Sequence, residues 1–380
     1  MNVVITGAGL LTTLGIGRET AFRWLLSGQA GDGEIPSFDP VKYLGDKGLR
    51  HWDRTALLLG SGAQLALAEA GLGAGQSVYA PEELGVVIGS THGSIQAIAE
   101  FDQESVKEGP QYVNPADFAN TTINQPAGRV SMQFNMPGLN TTISTGLASA
   151  LDALDYAAGM LERGRIGALL CGAALGKSPE INEGYTKAGR MIPPGAGAIP
   201  FSTGRRGPAL AEGGAMFVLE TAPAAAKRGA APLARLSGYG CAFTTAADGV
   251  QEAVAAALAS AQLPAQGVSC VIAFASGSPA VDLEEGHALR DLGIRAPVTA
   301  PKAATGDCLE ASGAIGVAVA IEALRTGRIP PIARLSAVDP DFADLDLVRG
   351  QPRAAVLAHA LVTARDPEGP CSAVIVSRAH

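Results

Sequence analysis

The sequence predicts an α/β protein made of two similar halves, each a parallel or mixed sheet covered by helices. Two observations point there. Buried strand-length apolar runs alternate with stretches of helical spacing along the whole chain, the pattern of sheets packed under helices on both faces. An Ala-rich stretch, residues 221–231, separates two such series. At 380 residues, 47 % of them hydrophobic and 17 % charged, the chain has ample core for both halves, and its 48 glycines suit close helix-on-sheet packing.

In order, residues 2–6 (NVVIT) are a buried strand, followed by Gly7-Ala8-Gly9. That triplet looks like a dinucleotide fingerprint, but residue 12 is Thr and no acidic residue closes a second strand, so nucleotide binding is not expected. Residues 18–27 form a short amphipathic helix ended by Gly28, and 53–71 a long one ended by Gly71. Residues 84–90 are a buried strand leading into the loop Thr91-His92-Gly93-Ser94, where His92 suits either a structural hydrogen bond or catalysis. Residues 108–115 are loop-like, 116–133 a loop and helix, and 139–144 a strand.

That strand passes through Thr145-Gly146 into a helix carrying Leu147, Leu151, Leu154, Ala158 and Leu161 at helical spacing. A strand–turn–helix corner aims backbone N–H groups and one side chain at a single spot, where the helix N-terminus favours negative charge. The corner residue is Leu147, which can do no acid, base or nucleophilic chemistry. Residues 166–175 are a strand with Cys171 in the core, 178–197 a loop rich in Gly and Pro, and 216–220 a strand. Glu212, if buried, needs a partner, and Arg205 or Arg206 is the candidate. The second series has strands at 233–238, 269–276, 354–362 and 372–378, with helices at 249–260, 282–292 and 310–325.

A net charge of −8 argues against nucleic acid and anionic membrane surfaces as partners. Five scattered cysteines without CxxC spacing read as reduced core thiols of a cytoplasmic protein. No apolar run reaches membrane-spanning length. Neither a cofactor nor a metal is expected.

The corner Thr145-Gly146-Leu147-Ala148-Ser149 resembles the nucleophile turn of the β-ketoacyl-ACP synthases, Ser/Thr-Ala-Cys-Ala-Ser/Thr in that family. Other stretches resemble the family too: Asn124 with Ala127-Gly128, Pro200-Phe201-Ser202 through Ala211-Glu212-Gly213-Gly214-Ala215, and Lys302-Ala303-Ala304-Thr305-Gly306-Asp307. The resemblance covers most of the chain. It implies a thiolase-like, duplicated five-layer α-β-α-β-α architecture with two mixed sheets, divided here at 1–225 and 226–380. It also implies where the catalytic Cys and two His should fall: Leu147 stands at the Cys position, Phe274 at one His (aligned on Pro279) and Asp307 at the other. The family's glycine loop, which helps form the oxyanion hole, aligns with residues 359–364, where His359 is the one side chain of note.

Condensation needs a thiolate to carry the acyl chain and two imidazoles to stabilise the enolate. The resemblance therefore implies a chain with no catalytic residues of its own, like the chain-length factors that pair with an active ketosynthase, shape its acyl tunnel and reach the acyl carrier protein mainly through that partner. Fatty acid and polyketide biosynthesis are the settings it implies. Phe118, Thr121 and Lys302 are the candidate substrate-pocket residues, and Lys302 with Asp307 equally suits a structural ion pair. Two other readings stay open: an acyltransferase-type enzyme of different chemistry on this fold, using Asp307, Lys302, His92, His359 or Ser149, and a non-catalytic homodimeric scaffold.

Overall fold

A computed structural model describes residues 2–31, 33–73, 77–192 and 199–379. Ten strands carry the fold: β1 (Val3–Thr12), β2 (Leu84–Gly89), β3 (Asn140–Ile143), β4 (Ala168–Leu175), β5 (Gly213–Thr221), β6 (Ala234–Phe243), β7 (Cys270–Ile272), β8 (Val298–Thr299), β9 (His359–Arg365) and β10 (Pro370–Arg378). Their spatial order is β3-β2-β4-β5-β1, then β6-β10-β9-β7-β8. Read from its outer edge toward the centre, each half thus runs third, second, fourth, fifth, first. The duplication expected from the sequence is visible as a repeated topology. The two mixed halves meet through a ladder of only three residue pairs, Val3–Ile5 against Ala234–Leu236.

Four helices complete the layers: α1 (Arg54–Ala70), α2 (Ser149–Glu162), α3 (Gly249–Ala261) and α4 (Ser312–Thr326). α1 covers β1, β4 and β5 from outside, and α3 covers β6 and β10. α2 and α4 touch each other and strands of both halves, forming the central layer. That position explains why α4 reads as apolar on all sides: residues 312–324 are buried throughout.

The Gly7-Ala8-Gly9 triplet lies inside β1, which is longer than expected. A Cβ on Gly7 would sit 2.1 Å from the Ala66 carbonyl, and one on Gly9 2.1 Å from the Gly62 carbonyl. These glycines let α1 lie directly on the strand. α1 starts at its N-cap Asp53, which accepts the Ala56 N–H at 2.8 Å, and stops at Gly71 in the left-handed region.

One expectation fails in this region. The segment after β4, read as loop from its Gly and Pro content, contains the helix Pro179–Lys187, N-capped by the Ser178 hydroxyl. Pro179 sits at its first turn, where a missing N–H costs nothing. Residues 193–198 of that expected loop lie outside the described residues.

Candidate functional site

The corner between β3 and α2 is held by its own hydroxyls. The Gly146 carbonyl accepts Thr91 Oγ1 at 2.7 Å and Ser149 Oγ at 2.6 Å, and Ser149 Oγ accepts the Thr145 N–H at 2.9 Å. Ser149 is therefore a structural brace. The fixed corner places Leu147 in the wall of a cavity of about 400 Å³ that also has Phe274, Asp307, Tyr185 and Arg206 in its lining. The three positions singled out from the sequence, far apart in the chain, thus meet in one cavity. Neither a cysteine nor a histidine lines it among the described residues.

Phe274 follows β7 on a loop pinned by carboxylates. Its N–H donates to Glu285 Oε1 and Thr363 Oγ1, each 3.1 Å away, and the Ala275 N–H donates to Glu285 Oε2 at 2.8 Å. Asp282 accepts the N–H groups of Phe201, Ser276 and Gly277 at 3.0–3.1 Å. Burial, the largest cause, pushes its carboxyl up to about 7.

Behind Phe274 lies Lys302. Its Nζ sits 3.0 Å from the centroid of the Phe274 ring and 3.0 Å from Asp307 Oδ2. Burial lowers the Lys302 pKa, against the opposing pull of Asp307. The other Asp307 oxygen accepts the Leu309 N–H at 2.9 Å and Ser312 Oγ at 3.2 Å. Both oxygens of Asp307 thus have partners inside the protein. Lys302, expected at a substrate pocket, is instead buried behind the phenyl ring and does not line the cavity.

Other residues singled out from the sequence fall in different places. Phe118 and Thr121 lie on the 3₁₀ segment Pro115–Thr121, away from the cavity. Phe118 is 60 % exposed, and the Thr121 hydroxyl donates to the Phe118 carbonyl. Glu212 pairs with Arg54 through two bonds of 2.9 and 2.6 Å, and with the Ile35 N–H. Arg205 goes to Asp339, and Arg206 to the cavity lining. Long-range pairing of a buried carboxylate is invisible to local spacing, so the nearest arginines were the wrong choice. His359 is remote: it belongs to β9, with Nδ1 2.8 Å from Ser377 Oγ. Cys308, beside Asp307, is buried, and burial drives its thiol well above the ordinary range. It supplies no thiolate.

The hairpin turn facing Leu147 is residues 366–369, not the 359–364 stretch aligned with the family's glycine loop; that stretch lacks those glycines and is strand from His359. Asp366 Oδ2 accepts the Leu147 N–H at 2.8 Å, and Oδ1 accepts the Glu368 N–H at 2.9 Å. Asp366 was missed in the sequence. Asp-Pro-Glu-Gly is a turn signature, and it was the available signal.

Comparisons with known proteins identify the family. The family described as beta-ketoacyl synthase, N-terminal domain, matches residues 44–225, and beta-ketoacyl synthase, C-terminal domain, matches 237–336. The tetracenomycin polyketide synthase ketoacyl synthase beta subunit of Streptomyces glaucescens is 31 % identical, over 99 % of this chain and 98 % of its own length. The chain belongs to the β-ketoacyl synthase family. A crystal structure of a beta-ketoacyl synthase from Burkholderia phymatum STM815 superposes with a TM-score of 0.92 at 26 % identity, covering all of both chains. A structure of the ishigamide ketosynthase/chain length factor gives 0.90 at 24 % identity, over all of this chain and 99 % of that one, and shares the fold.

For a β-ketoacyl synthase fold, this cavity is chemically silent toward condensation. Leu147 forms no thioester. Phe274 donates no hydrogen bond, and the carboxylate of Asp307 opposes a developing enolate. Among the described residues no helix is long and apolar enough to cross a membrane, and no group of His, Cys, Asp and Glu is placed to hold a metal ion.

Proposed function

We propose that this chain is a non-condensing ketosynthase subunit of the chain-length-factor type. It pairs with an active ketosynthase in the cytoplasm and shapes the tunnel in which an ACP-bound acyl or polyketide chain grows. Residues 1–225 and 226–380 are its two ketosynthase-like halves, and it meets the acyl carrier protein mainly through the partner. The observation that carries the reading is the convergence of Leu147, Phe274 and Asp307 in one cavity that no cysteine or histidine lines among the described residues.

A second observation supports the pairing. β3 is the outer strand of its half, bonded only to β2. The segment leading to it exposes Tyr112, Phe118, Ile123 and Met132. An open edge beside apolar surface is a hazard unless another chain covers it. On this reading Phe118 and Thr121 act at the shared interface, where a partner would complete the tunnel wall.

Co-expression with a ketosynthase that has an intact Cys-His-His set, followed by size-exclusion chromatography, tests it. A stable 1:1 complex, with acyl-ACP loading only the partner's cysteine, is the expected result. A lone chain that becomes acylated or turns over acyl-ACP would establish the acyltransferase reading instead. A homodimer that ignores the ketosynthase would establish the scaffold.

A further inference from the structure

A polar chain of three side chains reaches the same cavity and has no part in the reading above. Glu310 Oε1 accepts the N–H groups of Thr91 and His92, each at 3.1 Å, and its Oε2 lies 2.8 Å from His92 Nδ1. His92 Nε2 lies 3.2 Å from the hydroxyl of Tyr185, and Tyr185 forms part of the cavity wall. Glu310 is buried, His92 largely so, and the His92 and Tyr185 rings are 5.7 Å apart.

The protons on this chain can be placed. Burial opposes charge on Glu310, but its bond to His92 outweighs that and holds its carboxyl below the usual range. Burial likewise opposes an imidazolium, yet Glu310, with a contribution from Asp366, raises His92 above its ordinary value. Tyr185 is pushed upward by burial, then by Glu310, Asp366 and Asp307, against Arg190, so its hydroxyl keeps its proton. A protonated His92 uses Nδ1–H on Glu310 and Nε2–H on the Tyr185 oxygen. The phenol's own proton is then free for another acceptor.

We propose that Tyr185 binds the carbonyl oxygen of an uncharged acyl thioester in the cavity beside Leu147, with His92 and Glu310 as positioning residues that orient and polarise its hydroxyl. The lining favours that class. Leu147, Phe274 and Val281 offer an apolar wall, and the charged side chains of the lining balance, Arg190, Arg206 and Arg365 against Asp307, Asp366 and Glu368, so no net charge calls for a charged ligand. No bond is made or broken. The identity of the ligand rests on the proposed function above; the donor chain does not.

The test uses S-acetoacetyl-N-acetylcysteamine as probe, titrated into the chain alone and into its ketosynthase complex, with the histidine rings labelled with ¹⁵N. With five histidines in the sequence the spectrum is resolvable. Saturable binding with a Kd of about 1 mM, and a shift of the His92 ring signals, is expected. Tyr185→Phe, which keeps the ring and removes the donor, should weaken binding about three- to tenfold. Affinity should fall as pH rises through the His92 titration, and Glu310→Gln should move that fall to lower pH. Binding that is unchanged in Tyr185→Phe, independent of pH, or not detectable at about 10 mM probe overturns the proposal. Should Glu310→Gln fail to fold, the Tyr185→Phe and pH arms decide alone. Ketosynthase pairing is scored separately by size exclusion, so its loss with probe binding intact overturns the functional reading and supports this one.

Discussion

The backbone N–H of Leu147 donates to the carboxylate of Asp366, 2.8 Å from Oδ2, at the corner where α2 begins. In an acyl-transferring corner such an N–H is the donor kept for an oxyanion. Here an internal carboxylate holds it. Gly146 belongs to the same arrangement: its φ is +63°, and a Cβ there would lie 1.9 Å from Asp366 Oδ2. Missing side chains and a plugged donor therefore silence the site independently.

Removing the plug should be costly and coupled. Asp366→Ala leaves the buried Leu147 N–H without its acceptor and should destabilise the protein by about 1–3 kcal/mol. Gly146→Ala should also destabilise, through its backbone conformation and the clash. In the Asp366→Ala background only the backbone part remains, so the double-mutant cycle should show a coupling of about 1–2 kcal/mol by denaturant unfolding. Strict additivity would mean that the two residues do not share the space.

Restoring the thiol alone should not restore chemistry. Leu147→Cys places a sulfur beside the Asp366 carboxylate, which disfavours a thiolate, and both imidazoles are still absent. We expect no ketosynthase turnover and no acylation of residue 147 by acyl-ACP in intact-mass spectra. Measurable condensation by this single variant would refute the account of the site.

Much of the arrangement was legible in the sequence, and the limits are physical. The Leu147 corner was readable because a strand, a turn and a helix follow one another within a few residues. Phe274 and Asp307 were readable because motif frames flank them on both sides. What joins the frames was not. The Arg54–Glu212 pair spans 158 positions and the Leu147–Asp366 bond 219, and no local period encodes either. The helix Pro179–Lys187 was hidden by its Gly- and Pro-rich surroundings, and with it went the position of Tyr185. Phe118 was singled out because the resembling family builds part of its acyl pocket and dimer contact from this stretch, and within this single chain it stands largely in solvent.

Lys302 and Asp307 should behave as a buried pair. Lys302→Met removes the cation and leaves the Asp307 carboxylate with only its bonds to Leu309 and Ser312. A loss of about 3–5 kcal/mol is expected, the usual result of stranding one partner. Lys302→Met with Asp307→Asn should recover part of it, since Asp307 no longer carries an unpaired buried charge. Urea unfolding of the three variants measures both steps. A single-variant cost below about 1 kcal/mol would put the pair in the class of exposed bridges.

Asp282 gives a pH signature whose sign can be worked out. Its carboxyl is raised by burial to about 7 in the folded chain, from an ordinary value of 3.8. The folded state therefore holds a proton that the unfolded state has released. The stability this contributes is fully present below the unfolded value and is lost as pH rises through about 7. Between pH 4 and pH 8 the wild type should lose on the order of 2–4 kcal/mol from this group, and Asp282→Asn should flatten that slope. A variant whose melting temperature keeps the wild-type pH dependence would assign the slope to other groups.

The exposed apolar segment before β3 offers the sharpest separation of folding from assembly. Phe118 and Met132 are 60 % and 69 % exposed in the single chain, so neither contributes much to its core. Phe118→Glu and Met132→Glu should each leave the melting temperature within about 2 °C of wild type, since surface changes of this kind cost little. At an interface the same substitutions bury a carboxylate against apolar surface, and a loss of at least about tenfold in affinity for the ketosynthase partner is expected. Co-purification yield and analytical ultracentrifugation of the mixed proteins read that loss. Full-strength pairing by both variants would move the interface elsewhere, and with it the role assigned to the open edge of β3.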